Sequence, residues 1–181
     1  MRTPSPYEIL VTHSKGWADY CMRDKGWCQP AFFVRNDEDN NTHSFFYTGG
    51  EFFEVEREKY AVACRLFAMA HNANACAFVS EVWTVPPGKY NSKILPSEHE
   101  ERIEGIAINT ETKTHLIPVF LPILRDRNGK YSDLGEPEIF HFERSNKKVG
   151  RRGRFADLLP PFDVPADLRK KTLALLNLKQ V

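Results

Sequence analysis

Glu81 is a carboxylate in the middle of the apolar stretch AFVSEVWTV, residues 77–85. Ionising a carboxyl group away from water costs several kcal/mol unless a cation or a hydrogen-bond donor compensates for the lost hydration. Because side chains alternate along an extended strand, Glu81 shares one face with Val79 and Trp83. A partner for Glu81 must therefore come from a neighbouring strand that turns the same way.

The next extended stretch, residues 102–109, carries Arg102 and Glu104 on one of its faces. If the two strands pair antiparallel with these faces aligned, Glu81, Glu104 and Arg102 become neighbours within about 5–8 Å. A slip of one residue would place Glu104 and Arg102 on the opposite side of the sheet from Glu81. The sequence therefore predicts a cluster of two acids and one guanidinium, which depends on the register.

This cluster has a structural and a functional interpretation. In the first, Arg102 is the counter-ion of the acids and the group is an ion pair at the end of the sheet. In the second, Glu81, Trp83, Arg102 and Glu104 line a ligand-binding pocket beneath the long connection 86–101. They would bind a cation, hold a phosphate through the arginine, or act as acid and base with separated pKa values. The sequence favours the structural interpretation, because ion-pair networks perturb carboxyl groups without being catalytic.

A basic run, RSNKKVGRRGR, is the second candidate site. Its positive residues are Arg144, Lys147, Lys148, Arg151, Arg152 and Arg154. Such a run can neutralise phosphates and give salt-dependent binding of a nucleic acid. The alternative is a solvated linker before the last helix, which the lack of an interleaved stacking aromatic before Phe155 favours.

Other familiar chemistry is missing from the sequence. It contains no GxSxG, no P-loop and no histidine or cysteine spacing of a known zinc site. The four cysteines include no CxxC pair, which predicts reduced, buried thiols. The sequence thus predicts no catalytic residues, no metal and no cofactor, and it leaves open whether the protein is an enzyme.

Composition limits the class of protein. A chain of 181 residues with 41% hydrophobic residues can bury the core of one domain. The net charge of +1 argues against overall charge as the basis for binding nucleic acids or anionic membranes. The N-terminus lacks the apolar core of a signal peptide, and no stretch approaches the roughly 18 apolar residues of a membrane span. We therefore expect a cytoplasmic protein without a membrane partner.

The positioning elements can be predicted from periodicity and turn residues. Ser5, Pro6 and Glu8 form the start signal of a helix over 6–25, with Gly26 as its stop. Two aromatic runs around NDEDNN predict a hairpin, and a second helix follows Gly50, with Asn72 or Asn74 as its left-handed end. Further strands are predicted at 76–85, 102–109, 114–124 and 137–143, with the closing helix at 166–178.

These elements predict an α+β fold, in which a mostly antiparallel sheet of about six strands packs with two or three helices. Residues 1–143 form the core domain, and residues 144–181 form a basic, Pro-rich segment and a C-terminal helix that packs on or extends from it. Strands 76–85 and 114–124 are apolar on both faces, so both faces need cover. Either the helices divide between the faces or a second subunit covers one of them, which makes a homodimer possible.

Three stretches carry a resemblance to a known group of proteins: KGWCQPAFFV, ACAFVSEVWTV and PSEHEERIEGIAI. Their Gly-x-x-x-Pro, Ser-Glu-x-Trp and Arg-x-Glu motifs resemble, in that order, those of a family of small uncharacterised bacterial and phage-associated proteins. The resemblance covers about residues 15–125 and implies a compact intracellular domain of the kind carried on mobile elements, with no assigned chemistry. It also implies that Ser80, Glu81, Trp83, Arg102 and Glu104 belong together.

Two classes of function remain. The first is a non-catalytic binding or interaction protein that acts through a dimer surface or through the basic segment. The second is an enzyme or small-ligand binder centred on Glu81, Arg102 and Glu104. The sequence favours the first class because it contains no complete catalytic constellation. The environment of Glu81 discriminates between them: a wide, wet pocket favours the second class, and a closed ion pair against Trp83 favours the first.

Overall fold

Three α-helices and eight strands are present in the described part of the chain; the computed structural model describes residues 2–36, 41–49, 54–86, 88–89, 93–143, 155 and 157–177. The helices are α1 (Pro6–Lys25), α2 (Glu54–Ala70) and α3 (Ala166–Asn177), and a short 3₁₀ helix spans Pro96–Glu98. The strands are β1 (Ala31–Arg35), β2 (Thr42–Phe46), β3 (Ala75–Thr84), β4 (Ile103–Thr112), β5 (His115–Arg125), β6 (Tyr131–Leu134), β7 (Glu138–Ile139) and β8 (Phe142–Glu143).

The start and the end of α1 are those that its sequence predicts. The Ser5 hydroxyl accepts a hydrogen bond from the backbone N–H of Glu8, and the Glu8 carboxylate accepts one from the backbone N–H of Ser5, so two of the unpaired donors at the helix start are satisfied. Gly26 ends the helix in the left-handed region at φ 76°, and its N–H donates to the Met22 carbonyl. The predicted helix over 6–25 is confirmed.

The sheet has the strand order β2–β1–β3–β4–β5–β6, and every neighbouring pair on this path is antiparallel. The two-residue strands β7 and β8 lie off this path, and both pair with β5. The predicted hairpin is confirmed, since β1 pairs with β2 from Ala31 opposite Phe46 to Arg35 opposite Thr42. The α+β fold with its mostly antiparallel sheet is confirmed as a single domain.

Two details of the predicted strands are wrong. The sequence pattern predicts no strand between residues 124 and 137, but β6 lies there. Its turn is built on Asp126, whose carboxylate accepts the backbone N–H of Asn128 and of Lys130 at 2.8 and 2.9 Å, and Gly129 adopts φ 76°. Such a three-residue hairpin loop with a left-handed glycine was visible in the sequence as Asn-Gly. The predicted strand 137–143 is instead divided into β7 and β8.

The two faces of β3 are covered by different helices. On one face Ala77 and Val79 pack with α1, together with Ile106 of β4. On the other face Phe78 packs with residues of α2, including Cys64. Because both covers come from the same chain, the predicted need for cover on both faces of β3 is met without a second subunit. The homodimer stays a prediction.

The C-terminal part of the chain packs on the α2 side of the sheet. Leu158 and Leu159 are buried in the same core cluster as Phe78, and α3 packs against α2. The buried carboxylate of Glu111 accepts the backbone N–H of Leu158 at 3.1 Å, which fixes the segment that precedes α3. The predicted basic residues 144–154 lie outside the described part of the chain.

The cysteines and the helices bear on two further expectations. Cys21, Cys28, Cys64 and Cys76 are all buried and free, as their spacing predicts. Among the described helices, none combines the length and the apolar character that crossing a membrane requires.

Candidate functional site

The register between β3 and β4 brings the two predicted acids to one face. Trp83 lies directly opposite Glu104, and Glu81 lies opposite Ile106, two residues further along β4. Residues opposite each other in an antiparallel pair point to the same side, so Glu81, Trp83 and Glu104 share the face that packs against α1. The predicted alignment of the two acids is confirmed.

The cation that pairs with Glu104 is Arg125 on β5, not Arg102. Its Nη2 and Nε atoms lie 2.6 and 2.8 Å from the two carboxylate oxygens, which is a bidentate pair. The side chains are only partly exposed, 35% for Arg125 and 16% for Glu104. The same geometry raises the pKa of Arg125, chiefly through its hydrogen bonds to Glu104. The expectation that Arg102 supplies the counter-ion is therefore wrong.

Arg102 makes different contacts at the start of β4. Its guanidinium carbon lies 4.9 Å from the centre of the Trp83 ring, which is a cation–π contact. One of its nitrogens donates to the Ser97 carbonyl at 2.9 Å. Arg102 thus ties the 3₁₀ turn of the long connection to the end of β3. It was predicted to lie beside Glu104 because alternation alone does not show which neighbouring strand supplies the closest cation.

Glu81 is held between a backbone donor and the second acid. One of its oxygens accepts the backbone N–H of Cys28 at 3.1 Å. Burial raises the pKa of Glu81, and the charge and hydrogen bond of Glu104 raise it further against the opposing effects of Cys28 and Arg125. Both the burial and the neighbouring acid therefore act against the charged form of Glu81.

A cavity of about 510 Å³ lies on the other side of β3. It is lined by Trp27, Cys28, Pro30, Arg57, Phe78, Ser80, Glu81, Val82, Asn109 and Phe155. Since β1 pairs with β3 only as far as Val79, the part of β3 from Ser80 to Val82 extends past the end of β1. Of the four predicted site residues, Glu81 lines this cavity, while Trp83, Arg102 and Glu104 do not.

The cavity combines aromatic walls with a few polar groups. The rings of Phe78 and Phe155 stack in parallel, with their centres 3.8 Å apart and their planes at 4°. Trp27 is 45% exposed at the rim. Ser80 and Asn109 bring hydrogen-bonding groups on neighbouring strands, and Arg57 brings a positive charge from the first turns of α2.

Only part of the signal for this cavity is visible in the sequence. Ser80 and Glu81 lie in the strand that the sequence singles out, and Trp27 lies in the KGWCQP stretch of the resemblance. Arg57 is surrounded in sequence by acidic residues, and Phe155 follows the basic run, so neither indicates a binding site by its local pattern. They reach the same cavity because α2 and the C-terminal segment pack on one face of the sheet.

The described residues contain no group of three histidine, cysteine or acidic side chains arranged to hold a metal ion. Nucleic-acid binding through the basic run stays a prediction, because all six of its positive residues lie outside the described part of the chain. In comparisons with known proteins, no family model, no curated protein and no solved structure matches this chain.

Proposed function

We propose that this protein is a non-catalytic binding protein for a small planar ligand that carries an anionic group. The observation that carries the proposal is the cavity of about 510 Å³ between β3 and α2, with its aromatic walls and Arg57. Ligand sites in proteins have volumes of about 300–1,000 Å³ and combine apolar walls with a few polar groups. The cavity has both properties.

The ligand class follows from the lining. Aromatic rings such as Phe78, Phe155 and Trp27 favour a flat ligand, because stacked or edge-to-face ring pairs add about 0.5–1.5 kcal/mol to the burial of apolar area. The guanidinium of Arg57 suits a carboxylate, sulfonate or phosphate, whose oxygens match its planar donors. Ser80 and Asn109 can orient polar atoms of the same ligand.

The non-catalytic part of the proposal rests on the chemistry of the lining. Cys28 is the strongest nucleophile type in the cavity, but burial raises its pKa and keeps it a neutral thiol, which is a poor nucleophile. The acid that would serve beside it, Glu81, is engaged by the Cys28 backbone N–H and by Glu104. The alternative of an enzyme centred on Glu81, Arg102 and Glu104 loses support, because Arg102 and Glu104 bind other partners away from the cavity.

A titration with 8-anilinonaphthalene-1-sulfonate, a flat fluorescent anion, tests the proposal. We expect one molecule to bind per chain with increased fluorescence, and the Arg57→Gln variant to bind it about tenfold more weakly, which corresponds to about 1.4 kcal/mol. N-phenyl-1-naphthylamine, which has the same rings without the sulfonate, should bind both proteins equally.

The matched control is Lys59→Gln, which removes a positive charge from an exposed side chain of the same helix, where Lys59 pairs with Glu56 at 3.7 Å. It should leave the affinity for the sulfonate unchanged. The proposal fails if neither dye binds the wild-type protein, or if Arg57→Gln and Lys59→Gln weaken binding equally, since overall charge would then explain the effect.

The other predicted associations are separate from this cavity. A homodimer, an origin on a phage or mobile element and nucleic-acid binding through residues 144–154 stay predictions. Light scattering coupled to size exclusion tests the first. A titration with DNA and RNA at two salt concentrations tests the last, because contacts with phosphates weaken steeply as salt rises.

A further inference from the structure

We propose that the ligand of the cavity is a nucleoside monophosphate, whose base is bound by Ser80 and Asn109 and whose phosphate is bound by Arg57. This inference rests on the proposed function, because it names the chemical class of the ligand for the same cavity. It is carried by two hydrogen-bonding side chains without protein partners, which lie beside an aromatic wall and face a guanidinium from another layer of the fold.

The first step is the position of Asn109. It lies on β4 directly opposite Phe78 of β3, so both side chains point to the face of the sheet that packs with α2. Phe78 stacks on Phe155 in the wall of the cavity. The amide of Asn109 therefore lies beside the aromatic wall, within reach of the edge of a ring bound against that wall.

The second step is the position of Ser80. It follows Phe78 by two residues on β3 and lies opposite Ala107, so it shares the face of Asn109. Ser80 and Asn109 are diagonal neighbours across the strand pair, and such neighbours are about 7–8 Å apart at their backbones. Their side chains can therefore reach polar atoms along one edge of the same ring.

The third step is that these two side chains are available. Glu81 and Glu111, on the same two strands, each accept a backbone N–H at 3.1 Å. In the part of the chain that the structure describes, by contrast, no protein group forms a hydrogen bond with the Ser80 hydroxyl or the Asn109 amide, and both residues are half-buried. Polar groups in such a position are satisfied by water or by a ligand.

The chemistry of an amide selects the kind of ring. The side chain of Asn109 presents a donor beside an acceptor in one plane. A ring that carries an acceptor beside a donor forms two parallel hydrogen bonds with it, as adenine does with asparagine. Nucleobases have such edges, in the N–H and C=O of guanine and uracil and in the amino group and ring nitrogen of adenine and cytosine.

The aromatic side chains favour the same class. Every nucleobase has a flat π face that stacks on aromatic side chains, whatever its hydrogen-bonding edge. Trp27, 45% exposed at the rim, and Phe155 in the wall offer such surfaces. A base can thus be held by its face and read at its edge by different side chains.

The position of Arg57 accounts for the phosphate. Arg57 lies one turn before Tyr60 on α2, on the same side of the helix, and the Tyr60 ring lies 6.2 Å from the rings of both Phe78 and Phe155. The guanidinium therefore enters the cavity from the helix layer, while Ser80 enters from the sheet. A ligand that contacts both layers needs a spacer between its polar edge and its anion, which the ribose of a nucleotide supplies.

Calorimetric titration of the full chain with AMP, GMP, UMP and CMP tests the inference. We expect at least one of them to bind with one molecule per chain, about tenfold or more tightly than ribose 5-phosphate and than its own nucleoside, because each lacks one of the two anchored ends. The four arms identify the base. The inference is overturned if no nucleotide binds, or if ribose 5-phosphate binds as tightly as the tightest nucleotide.

The variant Asn109→Leu keeps the approximate size of the side chain and removes its polar atoms. It should weaken the tightest nucleotide about tenfold or more, since a bidentate pair contributes that much discrimination. It should not weaken 8-anilinonaphthalene-1-sulfonate, whose binding does not need a paired donor and acceptor. The matched control is Asn128→Leu, at an exposed asparagine in the turn before β6 that does not line the cavity, and it should leave both affinities unchanged.

A second variant keeps the test decisive if Asn109→Leu does not fold. Asn109→Asp keeps the side-chain shape, but an ionised aspartate offers acceptors only. Guanine presents two adjacent donors, so the affinity for GMP should rise about tenfold relative to the other three nucleotides. All four carry the same phosphate, so the added negative charge cancels in this comparison. An unchanged order of the four affinities would overturn the role of Asn109.

Failure of the proposed function looks different from failure of this inference. If 8-anilinonaphthalene-1-sulfonate binds and depends on Arg57 while no nucleotide binds, the cavity takes planar anions and the nucleotide assignment is wrong. If neither dye nor any nucleotide binds, the proposed function and the inference fall together.

Discussion

The face of β3 that packs against α1 and the face that packs against α2 differ in how they treat polar and aromatic side chains. Toward α1, the carboxyl groups of Glu81 and Glu104 lie near Arg125. Each carboxyl group has a hydrogen-bond donor within the protein. Toward α2, Phe78 lies among stacked rings beside an open cavity. The charged residues that the sequence singles out therefore have partners within the protein, while the open cavity lies on the aromatic side.

The acid in the apolar strand thus lies beside the cavity without being its centre. Glu81 lies where β1 stops pairing with β3. Its side chain lies on the same face as Glu104, and the residue also borders the cavity. One residue can in this way connect two faces that otherwise have separate cores.

The largest difference between the two faces should appear with Phe78→Ala and Val79→Ala, neighbours that point in opposite directions. Phe78→Ala should lower the free energy of unfolding by about 3–5 kcal/mol and abolish dye binding, because it removes a cavity wall. Val79→Ala should cost about 2 kcal/mol and leave the dye affinity unchanged. Urea denaturation and dye titration measure both. Loss of dye binding in the folded Val79→Ala protein would contradict the separation of the faces.

A second effect concerns the acid pair. Glu104→Gln keeps the side-chain shape but removes the charge that binds Arg125, so the free energy of unfolding at pH 7 should fall by about 1–3 kcal/mol. Glu101→Gln is the control, because the exposed pair of Glu101 with Lys89 contributes little to stability. Equal urea midpoints for the two variants would show that the partly buried pair is no stronger than a surface one.

The pH dependence of stability tests the environment of Glu81 on the α1 face. Since the pKa of Glu81 is raised in the folded state, the folded protein binds more protons than the unfolded chain between the ordinary glutamate pKa, about 4.3, and the raised one. The contribution of Glu81 to stability is therefore fully present below that window and is lost as pH rises through it. The difference in unfolding free energy between wild type and Glu81→Gln, measured across this range, should show that slope. A flat difference would mean that Glu81 is not perturbed.

The smallest effect is expected at the end of β3. Arg102→Gln removes the cation–π contact with Trp83 and should cost about 0.5 kcal/mol, since exposed contacts of this kind are weak. Arg102→Lys should retain most of the stability. A loss from Arg102→Gln as large as that from Glu104→Gln would restore Arg102 as the counter-ion of the acids.

Local sequence signals were sufficient for most of the fold. The capping box at Ser5 and Glu8 and the stop at Gly26 give α1 its bounds, because they act within a few residues. Alternation placed Glu81 and Glu104 on one face, since it depends only on the geometry of each strand. Strand β6, which was not predicted, has a local signal in the turn residues Asn128 and Gly129 that precede it.

Short-range patterns in the amino-acid sequence are enough to identify most of the elements and the side to which each strand side chain points, because both follow from local backbone geometry. Only the packing of the folded chain shows that Arg125 is the cation that binds Glu104. It also shows that Arg57, Phe155 and Trp27 line the same cavity. Those contacts depend on the register of a third strand and on the packing of distant segments over the sheet. No local pattern encodes them, since they arise from the burial of apolar area by the whole chain.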